Sequence, residues 1–260
     1  MTMKYAKWIG GGLGWALGGP IGGILGFAFG AMVDDKSLSA QEQTAQRQRQ
    51  YNPRNDYQSY QSQRHRTRPG DFTSALLVLS AAVMKADGKH MKSELDYIRA
   101  TFRSQFGEAV AAEQIGILKE LLNKDIPVRD VCEQIKYYME HAMRLQLIHY
   151  LYGIAKADGN VDAREAALVD QIAYYLGVSE SDRSSIRAMF YESSDRSYTI
   201  LEISKSATDD EVKKAFRKMA MKYHPDKVRD LGESHQKAAQ DKFIEVQKAY
   251  EKICKERGIK

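Results

Sequence analysis

Glycine recurs at every fourth position near the start of the chain, within an uncharged stretch that runs from Trp8 to Val33. Each glycine inside a soluble helix costs roughly 1 kcal/mol of stability relative to alanine, so an ordinary surface helix is excluded. A four-residue interval instead aligns the glycines along one side of a helix, where a second backbone can approach closely, as in pairs of membrane helices. We therefore expect residues 1–35 to form a glycine-rich membrane anchor that pairs into a homodimer. The pairing residues predicted by this spacing are Gly10, Gly14, Gly18, Gly22, Gly26 and Gly30.

The length of this stretch leaves its topology open. Its 26 residues at a rise of 1.5 Å extend about 39 Å, which exceeds the roughly 30 Å hydrocarbon core and permits a tilted single span. Gly19 and Pro20 at the midpoint also permit a kink or a re-entrant hairpin. The stretch is long for a secretory signal peptide, and its two tryptophans disfavour a flexible soluble tail. Basic residues are more numerous after it than before it, which favours a bacterial inner-membrane protein with cytoplasmic C-terminal domains.

Residues 36–70 have the composition of a linker. They carry eight glutamines and a net charge of +5, and aliphatic residues are almost absent after Leu38. Such a segment cannot bury enough apolar surface to form a core. We expect a solvated basic tether beside an anionic membrane surface. Its interleaved arginines and tyrosines leave single-stranded nucleic acid as an alternative partner, which we consider the weaker interpretation.

The remaining sequence has the pattern of a helical protein. The two cysteines, Cys132 and Cys254, lie far apart, which excludes a disulfide framework and fits a reducing compartment. Residues 71–195 carry a net charge of −5, and apolar side chains recur there with helical spacing, as at Leu76, Leu79 and Val83. We predict an all-α fold in which this region forms a compact bundle of about seven short helices.

Two acidic turns repeat within the bundle. Lys85-Ala86-Asp87-Gly88 recurs 71 residues later as Lys156-Ala157-Asp158-Gly159, and Glu94 aligns with Glu165 at the same offset. Two related halves are therefore expected. This pattern resembles the tellurite-resistance TerB family, whose all-helical domains contain such turns, and the resemblance covers roughly residues 71–193.

The acidic turns have a structural and a functional interpretation. In the first, both turn glycines take the left-handed conformation that ends a helix, and Asp162 with Glu165 forms a capping box. In the second, carboxylates from both halves converge on an oxygen-rich site for a divalent cation. The candidate ligands are Asp87, Glu94, Asp158, Asp162 and Glu165. The first turn has Met91 where the second has Asp162, so one carboxylate is missing, and the structural interpretation with no cofactor is favoured.

The last 65 residues carry a net charge of +5 and contain the most specific motif. Thr208 and Glu211 have the spacing of a capping box at a helix start. The helix that follows has an apolar face and cations at repeated i+4 spacing. Pro225 disfavours helical geometry at His224, so the helix ends there and His224-Pro225-Asp226 forms an exposed corner. A second amphipathic helix predicts an antiparallel helical hairpin.

Three segments of this region resemble the J-domain of the DnaJ co-chaperone family, namely YTIL at 198–201, VKKAFRKMAMKYHPDK at 212–227 and KFIEVQKAYEKI at 242–253. The resemblance covers residues 196–260. It implies that the basic helix docks on an acidic surface of a DnaK-type ATPase, and that the corner triggers ATP hydrolysis in that partner. By position, the docking residues are Lys213, Arg217 and Lys218, and the trigger residues are His224, Pro225 and Asp226. Glu202 departs from the family, which commonly has glycine there.

The order of the regions resembles the bacterial membrane-anchored DjlA co-chaperones. This resemblance implies a co-chaperone that directs a DnaK-type ATPase to a client near the membrane, although the client cannot be identified. The glycine/phenylalanine-rich linker and the CxxCxGxG zinc motifs of general-purpose DnaJ proteins are absent from the sequence. No nucleophile, base and orienting group can be assigned, so we do not expect an enzyme. A metal or stress sensor with the J-domain as its output is the main alternative, and a metal-dependent hydrolase is a further one.

Overall fold

The chain forms an all-α structure, as its sequence predicts. The computed structural model describes residues 6–35, 69–86, 88, 92–159, 163–227 and 233–259, and these residues contain helices but no strand. The helices are α1 (Ala6–Asp35), α2 (Pro69–Met84), α3 (Lys92–Phe106), α4 (Glu108–Leu121), α5 (Val128–Tyr138), α6 (His141–Ala155), α7 (Ala163–Tyr175), α8 (Glu180–Ala188), α9 (Arg196–Ile200), α10 (Asp209–Lys222) and α11 (Glu233–Arg257). The predicted linker at 36–70 lies almost entirely outside the described residues.

Helix α1 folds back on itself at its midpoint. Gly19 has φ 60° and ψ −154°, a backbone conformation that favours glycine, and Pro20 begins the second half. A Cβ added to Gly14 would overlap the carbonyl of Gly22, so the two half-helices approach with no side chain between them. Of the two predicted topologies, the structure therefore has the hairpin. The close approach expected between two chains occurs here within one chain, and pairing between chains remains a prediction.

The turn of this hairpin contacts the bundle through one side chain. The Gln134 side-chain amide on α5 donates to the Gly18 carbonyl at 2.7 Å, and its oxygen accepts from the Ile21 amide at 3.0 Å. The hairpin also packs against α2 and α4. Among the described residues, no helix combines the length and the apolar character needed to cross a membrane.

Helices α2 to α8 form the predicted bundle, with α2 and α6 at its centre. Helix α2 packs against α4, α5, α6 and α7, and most of its side chains are buried. Phe72 from α2 and Phe102 from α3 are fully buried, and each such side chain contributes about 2 to 3 kcal/mol by leaving water. The Tyr152 ring is buried too, while its hydroxyl donates to Asp170 at 2.5 Å.

The repeated turns follow α2 and α6, the two helices that pack together at the centre. Gly88 and Gly159 have φ of 78° and 90°, so both take the left-handed conformation predicted for helix ends. The Gly88 amide donates to the Lys85 carbonyl at 3.2 Å, and the Gly159 amide makes the equivalent bond to Lys156 at 2.9 Å. The predicted left-handed conformation of both glycines is thus confirmed, whereas the predicted capping box stays a prediction because Asp162 lies outside the described residues.

Helices α9 to α11 form the C-terminal domain, in which α10 and α11 make the predicted antiparallel hairpin. The Phe216 and Tyr250 rings stack between them with centroids 4.3 Å apart. Helix α9 packs against both α8 and α11, and α11 also contacts α3. The C-terminal domain therefore rests directly on the bundle.

Candidate functional site

The basic helix α10 begins at the predicted capping box. The Glu211 amide donates to the Thr208 hydroxyl at 3.3 Å, and the Thr208 amide donates to the Glu211 carboxylate at 2.7 Å. The bond from the Thr208 backbone is the main reason why the pKa of Glu211 is lowered. Because two helix-end donors are satisfied, the start of α10 is fixed and the register of its cations follows.

Burial of one face of α10 turns its cations away from the core. Val212, Ala215 and Met219 are buried against α11, whereas Arg217 and Lys218 are exposed and Lys213 is half-buried. The three predicted docking residues therefore lie on one helix, outside its apolar face. Lys218 also donates to the carboxylate of Glu202, a contact that the sequence analysis did not predict.

The His-Pro-Asp corner, formed by His224, Pro225 and Asp226, lies directly after this helix. Helix α10 ends at Lys222, and a single 3₁₀ turn begins at Pro225. The Asp226 amide faces the His224 Nδ1 at 3.3 Å, and the Asp226 carboxylate lies 3.6 Å from the same nitrogen. Both side chains are more than half exposed. The three predicted trigger residues are therefore adjacent and available to a partner.

The corner is supported from beneath by residues to which the sequence analysis gave no role. Tyr223 is buried, and burial raises the pKa of its hydroxyl. The Lys242 ammonium lies 5.6 Å from the centre of the Tyr223 ring. The Phe243 and His224 rings pack edge to face with their centres 6.1 Å apart. Burial lowers the pKa of Lys242 to about 7. The packing of α11 thus sets the position of the corner.

The three predicted metal ligands that the structure describes, Glu94, Asp158 and Glu165, do not form a group able to hold a metal. Glu94 and Glu165 are buried in the first turns of α3 and α7, whereas Asp158 is exposed in its turn. Asp87 and Asp162 lie outside the described residues. No group of three or more acidic, histidine or cysteine side chains able to hold a metal occurs among the residues described. A divalent-cation site remains a prediction.

Family models match the three parts of the chain in order. The Co-chaperone DjlA transmembrane domain matches residues 3–50, the tellurite resistance protein TerB matches residues 73–188, and the DnaJ domain matches residues 196–258. The chain is therefore a J-domain protein whose J-domain follows a TerB-like helical bundle. In the order of these three regions, the chain resembles J-domain co-chaperones of the DjlA type.

Individual relatives agree with this assignment. The Co-chaperone protein DjlA of Vibrio vulnificus is 28% identical in an alignment 234 positions long that covers 74% of this chain and 80% of that protein. The Chaperone protein DnaJ of Neisseria meningitidis is 55% identical over 56 residues, which are 22% of this chain. That of Mycoplasmoides gallisepticum is 52% identical over 59 residues, or 23% of this chain. The chain spans only 14% of the length of either DnaJ relative. The comparison with solved structures gave no match.

Proposed function

We propose that this protein stimulates ATP hydrolysis by a DnaK-type chaperone and directs that chaperone to a client near the membrane. The observation that carries the proposal is the exposed His-Pro-Asp corner at the end of a helix with exposed cations. The cations attract an acidic partner surface and orient the encounter, because exposed charges act over several ångströms before contact. The corner then reaches the partner in a fixed position relative to the helix.

The role of the chain in this proposal is to bind and trigger, while the hydrolytic chemistry belongs to the partner. Pro225 fixes the backbone at the corner, and Tyr223 beneath it is buried, so little ordering is needed on docking. His224 and Asp226 present a nitrogen and a carboxylate side by side. We infer that they contact the partner together, where they favour the conformation that hydrolyses ATP.

The glycine hairpin is the part that we propose to associate with the bacterial inner membrane, leaving the C-terminal domains in the cytoplasm with ATP. The match to the DjlA transmembrane domain supports membrane association, and the cations that flank both ends of the hairpin favour the cytoplasmic side. Insertion of the hairpin turn requires it to leave Gln134. Pairing of two chains through the glycines is a further part of the proposal. Crosslinking in membranes tests the pairing of two chains. Protease access to residues 36–70 tests the orientation, and cleavage only from the outer side would contradict the cytoplasmic placement.

The trigger is tested with the full chain in lipid nanodiscs and a DnaK-type chaperone. His224→Gln should abolish the stimulation of steady-state ATP hydrolysis while leaving the helical circular dichroism signal unchanged. His65→Gln makes the same chemical change in the predicted linker and should retain full stimulation. Equal stimulation by wild type and His224→Gln would contradict the assignment of the trigger.

Docking is tested by reversing charge on the basic helix. Arg217→Glu combined with Lys218→Glu should slow association strongly at low salt and less at high salt, since salt screens exposed charges. Lys252→Glu combined with Lys255→Glu reverses the same charge on exposed positions of α11 and serves as the control. A defect of equal size at all salt concentrations would indicate misfolding instead of lost steering.

A further inference from the structure

Glu202 occupies a position where a glutamate is unexpected on two counts. The J-domain pattern commonly has glycine there, and Glu202 has φ of 58°, which is the left-handed region that side chains other than glycine disfavour. Its side chain is nevertheless only 4% exposed. An acid that is held in a strained conformation and largely removed from water requires compensating contacts.

Two lysines of the basic helix provide those contacts. Lys218 lies 2.9 Å from one Glu202 carboxylate oxygen, and Lys222 donates to the other. Burial raises the pKa of Glu202, but the bonds from Lys222 and Lys218 outweigh it, so the net pKa is lowered. The carboxylate is therefore ionised at neutral pH and neutralises charge on α10.

A second carboxylate reaches the same lysine from the bundle. Asp182 on α8 forms an ion pair with Lys222, and it also accepts from Ser179 at 2.7 Å and lies 3.5 Å from His141. Burial raises the pKa of Asp182, and the bonds from His141, Lys222 and Ser179 together lower it further than burial raises it. Lys222 is thus held between two acids, one from each domain.

We propose that Glu202 and Asp182, here called the acidic pair, determine the specificity of the basic helix for its partner by neutralising Lys218 and Lys222. Lys213, Lys214 and Arg217 then carry most of the charge of α10 that an acidic surface can use. This inference rests on the proposed function, because it concerns the docking step. Glu202 and Asp182 are positioning residues, since they act on the partner only through the lysines that they hold.

The exposure of each lysine determines how the acidic pair acts. Lys218 is 66% exposed, so a carboxylate of the partner can compete with Glu202 for it. Lys222 is only 20% exposed and is held on two sides, so it stays with the acidic pair. A partner that binds Lys218 must therefore displace Glu202, and partners with few acidic groups on their docking surface are disfavoured.

The test measures association of the full chain in nanodiscs with a DnaK-type chaperone at low and high salt. Glu202→Gln removes the charge and keeps the shape, and Glu202→Gly also restores the family residue and relieves the backbone. Both should raise the association rate about three- to tenfold at low salt, with a smaller gain at high salt. Glu251→Gln, an exposed acid on α11, makes the same chemical change and should give a much smaller gain. Asp182→Asn should raise the association rate by an intermediate amount, because Lys222 remains paired with Glu202 in this variant.

A lysine variant shows whether the effect passes through Lys218. In a Lys218→Ala background, Glu202→Gln should raise the association rate less than it does in wild type, because only its contact with Lys222 remains to be released. A merely structural role of Glu202 would leave the two changes independent. Unchanged or slower association of both Glu202 variants, with intact circular dichroism, would overturn the proposal.

Failure of the proposed function gives a different result. If wild type does not stimulate ATP hydrolysis, the co-chaperone proposal fails on its own evidence. The contact itself is followed without a partner by the carboxyl carbon resonance of Glu202. That resonance should titrate at lower pH in wild type than in the Lys218→Ala variant, and equal titration would remove the basis for the acidic pair.

Discussion

Arg196 connects the bundle to the J-domain, and its replacement by lysine should weaken that connection measurably. The guanidinium donates to the carbonyls of Ala188 and Met189, at 2.8 and 3.0 Å, at the end of α8. It also donates to the Glu245 carboxylate on α11 at 2.9 Å, which makes three part-buried bonds, and to the exposed Glu192 carboxylate at 3.3 Å. Lysine keeps the charge, but a single ammonium on a flexible stem cannot span three acceptors in fixed directions.

The size of the effect follows from what the variant leaves unpaired. A hydrogen bond that involves a charged group contributes about 1.5 to 3 kcal/mol, and the Arg196 and Glu245 side chains are each about three-quarters buried. If lysine keeps one of the three bonds, two are lost, and Arg196→Lys should lower the free energy of unfolding by about 3 to 6 kcal/mol. Arg99→Lys is the control, because the 2.7 Å pair of Arg99 with Asp96 is exposed and should cost under about 1 kcal/mol.

Urea denaturation of the full chain, followed by circular dichroism, measures both changes. The double variant with Glu245→Gln should show a coupling energy of about 1 to 2 kcal/mol, since the two side chains share one bond. Strict additivity of Arg196→Lys and Glu245→Gln would refute the reasoning. The reasoning would also be refuted if Arg196→Lys lowered the free energy of unfolding no more than Arg99→Lys does.

Three other changes test separate parts of the structure. Gly14→Ala should open the α1 hairpin, because its Cβ would overlap the Gly22 carbonyl, whereas Gly12→Ala meets open space; intramolecular crosslinking of the two half-helices measures the difference. Thr208→Ala should cost about 1 kcal/mol in urea denaturation through loss of the helix cap. Lys242 has a pKa near 7 when folded, below its usual value, so the unfolded chain binds more protons between about pH 7 and 10 and stability should rise with pH there. Lys242→Met should flatten that rise by up to about 1.4 kcal/mol per pH unit, and an unchanged pH profile would contradict the burial of this charge.

The features predicted correctly from the sequence are those whose determinants lie close together along the chain. The Thr208 cap, the left-handed Gly88 and Gly159, and the end of α10 before Pro225 each depend on a few consecutive residues. The pairing of α10 with α11 followed from two complementary apolar faces. Local rules of helix capping and amphipathic spacing are sufficient for such features.

The contacts that the sequence could not predict join residues that only the folded chain brings together. Asp182 and Lys222 lie forty residues apart, and an acid in the first turn of a helix is ordinarily explained by the helix dipole alone. The departure from glycine at Glu202 was the available signal, but its meaning depends on two lysines that only the folded hairpin brings near. Similarly, the spacing of the glycines in α1 predicted close backbone approach, but spacing does not specify whether the second backbone belongs to another chain.

The hairpin of α1 has a consequence for how charge is arranged around a lipid bilayer. Because its halves are antiparallel, Ala6 and Asp35 lie at the same end, and the glycine turn near Gly19 lies at the other. Each half spans about 20 Å at 1.5 Å per residue, less than the roughly 30 Å hydrocarbon core. Once released from Gln134, a hairpin of this form would enter one leaflet turn first. The charged residues that flank it would then stay in the same aqueous compartment, and none would have to be translocated.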